Sequence, residues 1–283
     1  MIRFVILIAI QFVSSNGLGQ QHKGFRWIDR NHNLYQVDRK TGLISKQTLE
    51  NETVSLGPIP NWSEMAKELP DDFDVNIFEK GNDTLVTVPG TGHLYKLSLN
   101  PVVLTRLDRT YFRGYNFTAT QFLRRDTLFS VGGRGFWSKN SLITYYNRNT
   151  REWDLYISNN DNIRPSLFGF TGYSGKHDAF FSAYYQEDEV SKGYKIPVSI
   201  FDFRKREWRV LGNLADYITD YIKVKHQLLW LDEYVLIYMQ GSPSTVYLVN
   251  PLDNKTYVYS PKIQSFFLGP AELYFKNGYL YSR

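Results

Sequence analysis

Imidazole is the usual acid–base group at neutral pH and a common metal ligand, so the five histidines come first. His22, His32, His93, His177 and His226 are scattered. None stands with another histidine or a carboxylate at a spacing such as HExxH. Two acidic clusters could supply the carboxylate pair that glycoside hydrolysis needs: Asp71, Asp72 and Asp74, and Glu187, Asp188 and Glu189. Both lie in polar, loop-like surroundings, which fits solvated charge better than chemistry. The run NNDN at 159–162 offers oxygens of the kind Ca²⁺ takes, yet reads first as a turn. No GxSxG elbow and no phosphate-binding glycine loop occurs. The cysteine count is zero, which excludes disulfides and thiolate-bound zinc. These residues point to no metal site, no cofactor and no catalytic group.

The elements that would carry any site are strands. Aromatics make up 16% of the chain, a bias that suits pleated, half-buried surfaces. At 128–137 the chain reads LFSVGGRGFW, an apolar strand ending on Gly132-Gly133. Beyond it, SLITYYNRNTREWDLY (141–156) matches IPVSIFDFRKREWRVL (196–211). Tyr146 aligns with Phe201 and Trp153 with Trp208, six residues separating aromatic from tryptophan in each. Weaker copies keep that spacing from Val37 to Ile44 and from Leu97 to Leu104. A further copy around Val249 carries one extra residue before Tyr257. The anchors therefore recur at roughly fifty-residue intervals, with Asn or Asp heading the turn in most copies. Four short strands per such unit is the pattern of a β-propeller blade.

An apolar strand closed by a double glycine, then an aromatic, six residues and a tryptophan, resembles the kelch repeat. Gly132, Gly133, Tyr146 and Trp153 match it in full, and Phe201 with Trp208 match without the glycine pair. The resemblance covers roughly residues 25–283 and implies an all-β propeller of four-stranded antiparallel blades. Residues 73–107, 110–158, 164–213 and 216–263 each read as one blade. The N-terminal piece offers two or three strands and the C-terminal piece two, so together they would close the ring as a fifth. Six blades is the alternative, and would need chain beyond Arg283. A short helix is expected around Trp62 to Leu69.

In such a ring the connections from second to third strand, and from fourth strand to the next blade, share one face. Here they hold Tyr111, Arg113, Arg134, Phe136, Trp137 and Arg164, the residue types enriched at binding hot spots. Two roles are open to Phe136 and Trp137: capping the apolar space between blades, or stacking on a ligand. Arg113 and Arg134 are open to solvated charge or ligand contact. The copper oxidases that share the repeat need a cysteine, and none is present. The expectation is a non-catalytic module for a protein, peptide or glycan. A sugar epimerase or mutarotase is the alternative, and two converging ionisable groups would mark it.

Residues 1–19 carry Arg3, the apolar run Phe4 to Ile10 and small residues to Gly19, the layout of a signal peptide. The mature domain would span 20–283, with no membrane span after cleavage. Export without cysteine suits a bacterial periplasm or exterior. The net charge of +5 is interspersed, so no nucleic-acid partner is expected.

Overall fold

The computed structural model describes residues 24–29, 31, 33–48, 52–67, 75–80, 83–111, 119–133, 142–160, 169–184, 186–188, 193–214, 226–239, 245–259, 273–276 and 279–282. These residues fold into antiparallel sheets, five of them four-stranded. The first sheet is β1 (Gly24–Ile28), β2 (Leu34–Asp38), β3 (Leu43–Gln47) and β4 (Thr53–Pro58), followed by helix α1 (Trp62–Lys67). The second is β5 (Asn76–Lys80), β6 (Asp83–Val88), β7 (His93–Leu99) and β8 (Val102–Arg106). The third is β9 (Thr120–Arg124), β10 (Thr127–Val131), β11 (Ile143–Asn147) and β12 (Glu152–Leu155). The fourth is β13 (Gly169–Ser174), β14 (Ala179–Tyr184), β17 (Pro197–Asp202) and β18 (Glu207–Asn213). A small hairpin, β15 (Gln186–Asp188) and β16 (Gly193–Lys195), grows between its second and third strands. The fifth sheet is β19 (His226–Leu231), β20 (Tyr234–Met239), β21 (Thr245–Asn250) and β22 (Lys255–Tyr259). A hairpin of β23 (Leu273–Lys276) and β24 (Tyr279–Ser282) follows. Each four-stranded sheet is a simple meander, compatible with a propeller blade. The chain divides into two compact units, one carrying β1–β12 and the other β13–β24.

The sequence repeat corresponds to one hairpin geometry. Tyr146 lies opposite Trp153, Phe201 opposite Trp208, Leu97 opposite Leu104, and Val37 opposite Ile44. In the fifth sheet Val249 faces Thr256 and Tyr257 moves on to face Leu248, the effect of the extra residue. An Asx residue heads four of these turns. Asp38 Oδ1 accepts from the Thr41 N–H at 2.7 Å, Asn147 Oδ1 from Asn149 at 3.0 Å, and Asn250 Oδ1 from Leu252 at 2.9 Å. Asp202 Oδ1 accepts from Arg204 and Lys205 at 2.9 and 3.1 Å. The residue four places on is left-handed each time: Gly42, Arg151, Arg206 and Asn254, at φ 70, 60, 58 and 61°. Replacing Asp202 by Ala removes two turn bonds, and a loss of about 1–2 kcal/mol in urea unfolding is expected.

One expectation about the chain ends is corrected. The N-terminal segment supplies all four strands of its own sheet, because Thr53–Pro58 adds β4 to β3. The C-terminal strands pair with each other, and among the described residues no strand pairing joins the two ends. In the first sheet the repeat anchors fall on β2 and β3 instead of the third and fourth strands. The expected helix forms at Trp62–Lys67. Its Trp62 indole donates to the Arg39 carbonyl at 2.6 Å and lies against Gly42, where a Cβ would come within 2.4 Å of Trp62 Cγ.

In the N-terminal unit, Val37, Ile44, Ile59 and Trp62 pack with Val86, Val88, Tyr95 and Leu97 between the first two sheets. Leu85 and Leu94 pack with Leu128 and Tyr146 between the second and third. In the C-terminal unit Phe181, Val198 and Ile200 pack with Trp230, Val235 and Ile237. Two outermost strands are bulged: Leu56 on β4 and Leu211 on β18 have no opposite number, and Gly57 and Gly212 follow them. Such kinks disfavour pairing with another chain along these edges.

Between β1 and β2, Asp29 accepts from the Asn31 and Asn33 backbones at 2.8 and 2.9 Å, from Asn33 Nδ2 at 2.8 Å and from Tyr35 Oη at 3.2 Å. Burial alone would raise the Asp29 carboxyl, but these bonds outweigh it and hold it below the usual carboxylate range. Burial and the Asp29 charge push Tyr35 up to about 12. A depressed folded-state value stabilises above the unfolded carboxylate range and is lost as pH falls through the folded one. The stability gap between wild type and Asp29→Ala should therefore be full at neutral pH and shrink on acidification below about pH 4, as melts at stepped pH will read.

Candidate functional site

The connection from β8 to β9 is the best-described part of the expected binding face. Asp108, 3% exposed, anchors it: Oδ1 accepts from the Leu94 N–H at 2.7 Å and Oδ2 from the Thr110 N–H at 2.9 Å. Arg106 Nη2 pairs with Oδ2 at 3.1 Å and also donates to the Thr110 carbonyl. The Arg109 N–H bonds the Arg151 carbonyl at 2.9 Å, and Tyr146 Oη and Arg151 Nε both donate to the Leu107 carbonyl, at 2.8 and 2.6 Å. Burial pushes the Tyr146 phenol up, so it remains a donor at neutral pH. Trp153 Nε1 donates to the Gly92 carbonyl at 2.8 Å. Gly92, at φ 80°, has Thr110 Cγ2 where a side chain would stand. The chain is thus clamped up to Thr110, and the next residue, Tyr111, is 89% exposed.

The other expected contact residues, Arg113, Arg134, Phe136, Trp137 and Arg164, lie outside the described residues. So do Asp71, Asp72, Asp74, Glu189 and Asp161. Gly132 and Gly133 have φ of 72 and 103°, and the Gly132 N–H bonds the Leu142 carbonyl at 2.9 Å. Phe201 and Trp208 are buried, at 0 and 4%. Trp208 exchanges two 2.8 Å bonds with the Asn160 carboxamide, and the Asn159 N–H meets the Arg206 carbonyl at 2.7 Å. Asn159 and Asn160 therefore fasten the strap before β13 to the fourth sheet. Glu187 and Asp188, expected in a loop, lie on β15.

Further ionisable groups have described neighbours. His93 is 3% exposed, with Nδ1 at 3.4 Å from Tyr95 Oη. Glu233, 5% exposed, receives Lys176 from the neighbouring turn and has His177 Nε2 at 3.8 Å. The hydrogen bond to Glu233 raises Lys176. Among the described residues no three His, Asp or Glu side chains gather as a metal would need. No helix among them is long and apolar enough to cross a membrane.

One polar cluster has no sequence signature. Gln121, second residue of β9, accepts at Oε1 from Asn76 Nδ2 at 3.0 Å and from Thr87 Oγ1. Asn76 opens β5 and pairs with Thr87 on β6, just before the turn into β7. Both carboxamides are half-buried. They stand 45 residues apart in the chain, so only the folding of two sheets brings them together.

Compared with known protein families and curated proteins, the chain matches neither a family model nor a curated sequence.

Proposed function

We propose that the chain is an exported, kelch-like β-propeller of bacterial type, serving as a non-catalytic binding module. Its ligand is a protein, peptide or glycan, met by Tyr111, Arg113, Arg134, Phe136, Trp137 and Arg164 on the connecting segments. The observation that carries this reading is Tyr111, an almost fully exposed aromatic directly after Thr110, whose N–H is held with those of Leu94 and Arg106 by the buried Asp108 carboxylate. A large apolar side chain held in water by a rigid support costs little further ordering when it binds. Repeated sheets with a common turn support the propeller architecture, which hosts many jobs and so does not itself name one.

The test is a thermal-shift screen of the protein against oligosaccharides, short peptides, and Ca²⁺ with and without EDTA. A ligand of the folded state raises stability by about 2.7 kcal/mol at a hundredfold excess over Kd. The expected result is a shift by at least one ligand that Tyr111→Ala and Trp137→Ala abolish. Chemical turnover of the ligand, or a shift indifferent to both substitutions, would contradict the reading.

A further inference from the structure

We propose that Asn76 and Gln121 form a hydroxyl-binding subsite for a neutral saccharide; this rests on the binding-module reading above and names its ligand. Three observations lead there. First, the Gln121 carboxamide is fixed: its Oε1 holds Asn76 Nδ2 and Thr87 Oγ1, so its Nε2 must point away from both. Second, Gln121 Nε2 and Asn76 Oδ1 have no protein partner among the described residues, and both side chains reach solvent in part. The pair therefore presents two N–H donors at Gln121 Nε2 and a carbonyl acceptor at Asn76 Oδ1, on carboxamides fixed by their own bond. Third, the position is loop-bearing. Asn76 opens β5, Thr87 leads into the turn at 89–92, and Gln121 follows the connection that carries Tyr111.

Neighbouring hydroxyls on a sugar ring each donate and accept, so one ring can meet both the donors and the acceptor of this pair. Within one peptide group the N–H and C=O point to opposite sides, which fits it less well. The cluster carries no charge, so it offers a charged ligand no ion pair to offset its desolvation. A carboxamide pre-set by its own hydrogen bonds loses little rotamer freedom on binding, which is where a weak polar contact gains its affinity.

Gln121→Glu tests this directly. A glutamate oxygen still accepts from Asn76 and Thr87, so the fold is kept, while both Nε2 donors are lost. The full-length protein is titrated calorimetrically with neutral gluco-, manno-, galacto- and xylo-oligosaccharides. The expected result is binding of at least one, weakened about tenfold or more by Gln121→Glu at an unchanged melting temperature. Sugar binding that Gln121→Glu leaves intact but Trp137→Ala abolishes would overturn the subsite and leave the binding-module reading standing. Binding of peptides alone would do the same. A cooperatively folded protein that binds neither sugars nor peptides would overturn both.

Discussion

Asp108→Ala is expected to cost about 2–5 kcal/mol, the penalty for two buried N–H donors left without an acceptor. The side chain of Asp108 is fully inaccessible, whereas Arg106 keeps 31% exposure. Truncation therefore leaves two buried N–H groups, of Leu94 and Thr110, without an acceptor, and frees Arg106 to turn to water. Asp108→Asn retains an acceptor oxygen and should fall between wild type and Ala. Urea unfolding gives the ranking, and amide exchange should show loss of protection at Leu94 and Thr110 first. A loss below about 1 kcal/mol for Ala would mean that the clamp is not what holds the segment before Tyr111.

Phe181→Ala should be as damaging, about 3–5 kcal/mol, for a different reason. Phe181 is completely buried and stacks on Trp230 with ring centroids 4.9 Å apart. Opposite Phe181 on β13 is Gly172, and a Cβ there would stand 2.3 Å from Trp230 Cβ. Trp230 is thus seated on a glycine and a phenyl ring, and removing the ring opens a cavity in the cluster that also holds Val198, Ile200 and Val235. Phe181→Leu should recover more than half of the loss. Loss, ahead of the far-ultraviolet signal, of the part of the near-ultraviolet signal that Trp230→Phe removes would show that this seat gives way before the sheets do.

The hairpins that carry Tyr146 with Trp153 and Phe201 with Trp208 were legible because three signals agree there. An apolar strand, an Asx turn and a large aromatic at fixed spacing all serve one geometry. The fifth sheet's extra residue could be read as well, since it only shifts Tyr257 by one place. β4 was missed for a physical reason. TVSLGP is mostly exposed, bulged at Leu56 and closed by proline, so it carries neither alternation nor an apolar run. β15 and β16 are three residues each and polar. The Asn76–Gln121 pair was illegible because carboxamides in strands follow no spacing rule; the contact depends on how neighbouring sheets approach.

The β15–β16 hairpin has a consequence for how such a chain changes over time and in the laboratory. It is inserted between Tyr184 and Ile196, yet β14 and β17 still pair from Ala183 with Val198 down to Ala179 with Asp202. Ile196 and Val198 remain completely buried beyond it. Added chain at this junction is absorbed without moving the register of the core. The junction between second and third strands is therefore a socket, where new recognition segments can be grafted or exchanged while the sheet beneath stays the same.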